Sequence, residues 1–209
     1  MQIVRSPWSD PFHNCALEER LLKESGEDVL LLYINSPAVV VGRHQTVAAE
    51  VSCRFCEERH IAIARRISGG GAVYHDEGNI NYAFIVNSAG GTLALDRDFT
   101  APMVAALRAM GVEAAVGGRK EIRCGRYKVS GTASHVSHRR QLFHGTLLHN
   151  TNLQWLAQAL KGNPAARGKG IASVPDEVIN ISSLLPTHET TEQFLLQIID
   201  FLQDYYRTG

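Results

Sequence analysis

Arg65-Arg66-Ile67-Ser68-Gly69-Gly70-Gly71-Ala72-Val73-Tyr74-His75-Asp76 reads as the end of one strand, a triple-glycine loop and the start of another strand. Consecutive glycines let the main chain approach a ligand closely and turn its N–H groups toward it. Arg66 brings a fixed positive charge to the same place. Such a loop suits a phosphate or a carboxylate. It is neither a Walker loop nor a dinucleotide fingerprint, because the Lys-Ser/Thr ending and the G-x-G-x-x-G spacing are both absent. Taken alone, these residues also fit a tight turn with no ligand.

Working outward, Ile61–Arg66 and Ala72–His75 are strands, and the turn Asp76-Glu77-Gly78-Asn79 leads into a strand over Ile80–Val86. Upstream, Asp10 to Glu24 has helical spacing, with Leu17, Leu21 and Leu22 on one side and charges on the other. Two β-branched runs follow, Val29–Ile34 and Val39–Gly42, and Val51–Arg59 reads as one short polar helix. Downstream come an amphipathic helix over Asp98–Met110 that stops at Gly111, and strands at Glu113–Val116, Glu121–Arg123, Tyr127–His135 and Gln141–His149. Asn152–Leu160 is helical, capped by Asn152 or Thr151. Lys161–Asp176, rich in Gly, Pro, Lys and Arg, is expected to be a mobile loop, and Thr190–Tyr206 is a final helix. Strands come in adjacent runs, which favours an α+β fold of mixed, largely antiparallel sheets flanked by helices over a doubly wound parallel sheet. With no internal repeat or linker, residues 1–209 read as a single domain.

Bulk properties narrow the partners. The 209 residues are 44% hydrophobic and 20% charged, a globular composition. Lys plus Arg equals Asp plus Glu at 21 each, so nothing in the net charge argues for nucleic acid or a membrane, and any anion site must be local. No apolar signal core follows Met1, and no apolar run is long enough for a bilayer span, so a cytoplasmic protein is expected. Four cysteines in such a chain do not suggest a disulfide framework. Cys53, Cys56 and His60 have zinc-like spacing but lack an evident fourth ligand, and they also read as a helix face.

Two more segments carry chemistry. Tyr127-Lys128-Val129-Ser130-Gly131-Thr132-Ala133 places one lysine among small residues, where it could hold a phosphate or carboxylate oxygen as a point charge; an outward-facing strand lysine is the other reading. Phe143-His144-Gly145-Thr146-Leu147-Leu148 sets a histidine beside glycine on an apolar strand, which fits a structural histidine as well as a site.

Together with the glycine loop, these segments resemble the lipoate–protein ligase A family, within the biotin/lipoate ligase superfamily. Arg65–Asn81, Lys128–Ala133, His144–Leu148 and Lys169–Val174 with Asn180 are each similar to a motif of that family, and Asp10–Glu19 and Val39–Gln45 extend the likeness over nearly the whole chain. The resemblance implies a biotin/lipoate ligase type of catalytic domain, which makes lipoyl-AMP from lipoate and ATP and passes the lipoyl group to a lysine of an acceptor lipoyl domain. It implies that Arg66, Lys169 and the loop from Gly70 through Gly71, Ala72, Val73 and Tyr74 grip the nucleotide. Asn79 and Glu121 would contact its phosphate side, and Lys128 would bridge the acyl carboxylate and the α-phosphate. Tyr33, Arg66, Ser68, Gly71, His75, Ala133 and His144 would surround the acyl group, and the Lys161–Asp176 loop would close over the adenylate. Mg2+ is expected with ATP, with Glu121 as its protein ligand.

Two departures qualify this. Lys120-Glu121 stands where the family commonly has Asn-Asp, which weakens the expectation for adenylation. The small C-terminal accessory domain of many bacterial members has no counterpart before Gly209, so a separate accessory protein is expected to supply it. The alternatives are a transferase working from a preformed adenylate, a thioester mechanism through Cys124, and a non-catalytic lipoyl-binding module.

Overall fold

The computed structural model describes residues 1–87, 98–137, 139–186 and 188–208. Among the described residues, eleven strands form three sheets. The largest runs β1 (Gln2–Arg5), β2 (Val29–Ile34), β6 (Asn79–Asn87), β11 (Arg140–Leu148) and β10 (Thr132–Ser137) in spatial order. Its β1–β2 pair is parallel and the rest are antiparallel. The second sheet places β3 (Ala38–Val41) between β4 (Ala62–Arg65), to which it is parallel, and β5 (Val73–His75), to which it is antiparallel. The third is antiparallel, β7 (Ala114–Val116), β8 (Ile122–Cys124) and β9 (Tyr127–Ser130). The mixed, largely antiparallel α+β architecture expected from the strand runs is therefore the observed one.

The alternation of β2 explains how the large sheet is covered. Leu30 and Leu32 face one core with Tyr82 and Phe84 of β6, Met103 and Leu107 of helix α4 (Ala101–Ala109), and Phe194 and Ile198 of helix α6 (Thr191–Thr208). Leu31 and Tyr33 face the other way, toward Leu22 of helix α1 (Pro11–Glu24). Adjacent residues of a strand point to opposite faces, so one apolar run serves two cores. The second sheet has its own cluster, where Val39, Val41 and Tyr74 meet Cys56 and Ala159. Among the described residues, no helix is long and apolar enough to cross a membrane.

Two local expectations differ from the structure. The segment read as one strand over Tyr127–His135 is two, β9 and β10, in different sheets. The chain changes sheet at Gly131, whose N–H donates to Thr146 Oγ1 (3.2 Å) and whose carbonyl accepts from Thr146 N–H (3.0 Å). The helix read over Val51–Arg59 is shorter, α3 (Cys53–Glu58), and a separate turn of helix, α2 (Val47–Glu50), precedes it; between the two the Ser52 N–H donates to the Ala159 carbonyl of helix α5 (Leu153–Ala159). Segment 161–176 is docked on the second sheet's loops: Ile171 N–H donates to His44 O (3.0 Å), and Thr46 Oγ1 to Arg167 O (2.8 Å).

Two buried histidines make stability depend on pH. His149 is fully buried, stacked on Phe194 at 4.4 Å, and burial pulls its pKa down to about 4. His75 is held down to about 3, by burial first and then by the Arg66 and His144 charges. Below the ordinary histidine value of 6.5, the unfolded chain takes up protons that the folded chain refuses, so stability falls as pH drops through 6.5 toward 4. At pH 5 the loss is roughly 2 kcal/mol per histidine. Urea unfolding at pH 7 and pH 5 should show a clearly lower midpoint at pH 5; an unchanged midpoint would disprove neutral burial.

Candidate active site

Helix α1 supplies the first wall. Asp10 caps it, with Oδ1 accepting from Phe12 and His13 N–H groups at 2.8 Å each. One face then turns Asn14, Glu18 and Leu22 inward at four-residue spacing. Glu18 is 2% exposed. Its Oε1 accepts from the Tyr33 hydroxyl (2.9 Å) and its Oε2 meets His144 Nδ1 (2.8 Å). His144 Nε2 in turn lies 2.7 Å from Ser68 Oγ. Burial, with the neighbouring Glu18 charge, holds the Tyr33 phenol well above its usual range. A buried carboxylate demands such partners.

The glycine loop forms the second wall and is shaped by Arg66. The guanidinium donates from Nε to Ser68 Oγ (2.9 Å), from Nη1 to Val40 O (3.0 Å), and from Nη2 to Gly69 O (2.6 Å) and Gly71 O (2.7 Å). Four of its five N–H groups are thus used inside the protein. Burial lowers its pKa to about 10, while Glu18 works in the opposite direction. Gly70 has φ +86, and its carbonyl lies 2.2 Å from where a Cβ on Gly42 would sit. Neither position accepts a side chain without moving the loop.

Lys128 stands on the third wall. Its backbone is held on both sides by the segment after the docked loop, with its N–H donating to Glu177 O (2.8 Å) and its carbonyl accepting from Ile179 N–H (3.3 Å). Burial lowers the pKa of its ammonium, an effect that Asp176 opposes. Arg123 holds Asp176 with two hydrogen bonds, at 2.8 and 3.0 Å. Glu121, expected as a magnesium ligand, spends Oε2 on Arg119 N–H (2.8 Å) and Oε1 on Arg123 (3.3 Å). Among the described residues, no group of three or more His, Cys, Asp or Glu gathers to hold a metal. Both Glu121 oxygens are thus held by arginine partners, and Glu121 would have to give one of them up to hold magnesium.

These walls enclose a cavity of about 360 Å³, the size of a small-molecule site. Of the residues singled out in the sequence, Tyr33, Arg66, Gly70, Gly71, Ala72, Val73, His75, Glu121, Lys128, Ala133 and His144 line it. Four do not. Ser68 lies fully buried behind Arg66 and His144. Tyr74 points into the second sheet's core. Asn79 is fully buried and donates to Asn81 Oδ1 (3.0 Å). Lys169 is exposed on the docked loop. That loop inserts Ser173, whose Oγ accepts from Ala72 N–H (2.9 Å) and from Gln45 Nε2 (3.0 Å). Glu18 is the main residue of this network that the sequence reading left without a role. Its signal was its place four residues after Asn14 on the helix's inner face. Cys15, Asn81, Arg119 and Ser173 also line the cavity. Cys124 is not among the lining residues; it packs in the main core, where burial raises its thiol pKa.

An α+β scaffold that brings a glycine loop, a half-buried lysine and a buried carboxylate–histidine pair to one cavity defines a small-molecule site. Residues 10–203 match the lipoyl protein ligase A/B catalytic domain, and the chain belongs to that family. It is 42% identical over 189 residues, 89% of this chain and 58% of the relative, to lipoate–protein ligase 1 of Staphylococcus aureus. The chain thus spans less than two thirds of that relative's length. In fold it is similar to a P. falciparum protein solved in complex with lipoate (TM-score 0.82, 23% identity, 99% of this chain and 60% of the other). It is also similar to a lipoate–protein ligase A solved with ATP (TM-score 0.80, 23% identity, 99% and 84%).

Proposed function

We propose that this chain is the catalytic domain of a lipoate–protein ligase, which activates lipoate with ATP and transfers the lipoyl group to a lysine of a lipoyl domain. The observation that carries the reading is a single cavity lined by the glycine loop, Lys128 and the buried Tyr33–Glu18–His144 cluster. The names of the relatives support it: one is called a lipoate–protein ligase, and two similar structures hold lipoate and ATP.

In the first step a carboxylate oxygen of lipoate attacks the α-phosphorus, and the bond from that phosphorus to pyrophosphate breaks. In the second a lysine amine attacks the acyl carbon, the acyl–phosphate bond breaks, AMP leaves and the nitrogen gives up a proton. Lys128 holds the anionic oxygens where charge gathers in both steps. Its desolvated ammonium gains most when that anion arrives. Arg66 acts chiefly by fixing the carbonyls of the loop, so that the loop's N–H groups face the phosphates. The Ala72 N–H becomes available when Ser173 leaves it, so segment 161–176 shifts on nucleotide binding. Magnesium bound with ATP would supply charge neutralisation at the nucleotide's phosphates.

A second reading, transfer from preformed lipoyl-AMP alone, is favoured by one feature: the Glu121 carboxylate is committed to Arg119 and Arg123. Mass spectrometry of a lipoyl domain after incubation with the chain separates the two. One reaction holds lipoate, ATP and magnesium, and the other preformed lipoyl-AMP. Modification of one lysine in both establishes the ligase. Modification from lipoyl-AMP only, rescued by no added accessory protein, establishes the transferase. Modification in neither, with lipoyl-AMP bound, establishes a binding module. Cys124→Ser should leave transfer within about twofold of wild type, because a core thiol away from the cavity cannot reach an acyl group. Abolished transfer in a folded variant would establish the thioester route instead.

A further inference from the structure

Lysine and arginine side chains line the cavity at Arg66, Arg119 and Lys128, and the structure uses each differently. Arg66 is buried and spends its N–H groups on the protein itself. The Lys128 ammonium packs over Gly131, with Nζ 3.5 Å from where a Cβ on that glycine would sit. Arg119 keeps its side chain 54% exposed while lining the same cavity, which sets it at the rim. Its guanidinium is loosely held. It pairs at 3.5 Å with Asp176 Oδ2, and Arg123 already takes both oxygens of that carboxylate, at 2.8 and 3.0 Å. A guanidinium carries its donors in a planar fork, so Arg119 has more to give a ligand than the buried Arg66.

The turn that carries Arg119 is built to hold one shape. Gly117 N–H donates to Glu121 O (2.7 Å) and Lys120 N–H to Gly117 O (3.1 Å), which closes the loop between β7 and β8. The Glu121 side chain folds back into this loop. Its Oε2 accepts from Arg119 N–H (2.8 Å), and the carboxylate fills the place where a Cβ on Gly117 would sit. Lys120 takes φ +63, a left-handed backbone that lysine rarely adopts, and its carbonyl accepts from Thr132 Oγ1 (3.1 Å). Such strain persists where surrounding contacts over-determine it, and it gathers at functional sites. Thr132 follows Gly131, so this anchor sets the turn beside the Lys128 ammonium.

We propose that Arg119 is a catalytic residue of the adenylation step, the guanidinium that receives the leaving diphosphate, and that Glu121 is the positioning residue that aims it. This rests on the ligase reading and deepens it. As the carboxylate oxygen of the acid bonds to the α-phosphorus, the bond from that phosphorus to the bridging oxygen breaks. Its electron pair leaves on the diphosphate. Lys128, deeper in, meets oxygens that stay with the acyl-adenylate. The diphosphate departs toward solvent past the rim where Arg119 stands, and a planar fork suits two phosphate oxygens. The transfer step puts no charge on a diphosphate, so Arg119 acts in one half-reaction and not in the other.

The test reads the two half-reactions apart on the full chain. Exchange of labelled pyrophosphate into ATP, with lipoate and magnesium present, reports adenylation. Single-turnover modification of a lipoyl domain from preformed lipoyl-AMP reports transfer. Arg119→Met should lower exchange about a hundredfold and transfer by less than about threefold. Calorimetry should show that Arg119→Met binds inorganic pyrophosphate about tenfold more weakly than wild type. Arg119→Lys should recover part of both losses. Glu121→Ala, which removes the brace but keeps the guanidinium, should lower exchange and spare transfer. Glu121→Gln, which keeps an acceptor for the Arg119 N–H, should restore most of the exchange. Arg119 is exposed, so its variants carry the test if Glu121→Ala fails to fold. Unchanged exchange in Arg119→Met, or equal loss in both half-reactions, overturns the assignment and leaves the ligase reading in place. A wild-type chain that transfers from lipoyl-AMP without exchange overturns it together with the ATP-dependent reading. A wild-type chain that does neither overturns the acyl-transfer reading as well.

Discussion

Lys128→Ala loses lipoyl transfer by about a thousandfold or more, on the order of 4 kcal/mol of transition-state stabilisation, while the chain stays folded. The lysine is half-buried on the cavity wall, and burial already disfavours its charge in the free protein. Truncation therefore removes little that holds the fold. It removes the one cation that the reading places on the anionic oxygens in both half-reactions. Single-turnover transfer from preformed lipoyl-AMP reads the second step separately from the first. Near-wild-type rates in a folded Lys128→Ala chain would mean that the charge is met elsewhere, with Arg119 on the cavity wall the first residue to examine.

Arg66→Met should be the most damaging change to the structure itself, at roughly 3–5 kcal/mol. Methionine fills much of the volume but leaves Val40 O, Gly69 O and Gly71 O without their donor. It also strips Glu18 of a cation that acts on it from inside the site. Arg66→Lys should rescue little, because one ammonium cannot span carbonyls on both sides of the loop and the Ser68 hydroxyl together. Denaturant unfolding gives the stability, and calorimetry with lipoyl-AMP gives the site. An Arg66→Lys chain with wild-type midpoint and affinity would show that the loop holds its shape without the planar fork.

Much of this molecule was legible because its signals are local. The Asp10 cap starts helix α1, Gly111 follows the end of helix α4, and Asn152 caps helix α5, all as the residue types require. Adjacent β-branched runs gave the right sheet class. The misreadings came where distant chain decides. Tyr127–His135 alternates like one strand, yet Thr146 takes both hydrogen bonds of Gly131 and turns the chain from one sheet into another. Ser52 looks helical until the Ala159 carbonyl takes its N–H. Periodicity cannot see such partners, since they lie 15 and more residues away.

The amino-acid sequence by itself determined the order of elements, the glycine loop, the basic residue beside it and the lysine among small residues, because turn chemistry and side-chain period act over a few residues. Only the tertiary structure decided what those groups do to one another. It turned Glu18 inward to meet His144, 126 residues away. It spent Arg66 on the loop's own carbonyls and gave both oxygens of Glu121 to arginine partners. The physical reason is common to all of these. A buried polar group must find a partner inside the fold, and which partner it finds depends on how distant segments pack, which no short window of sequence contains.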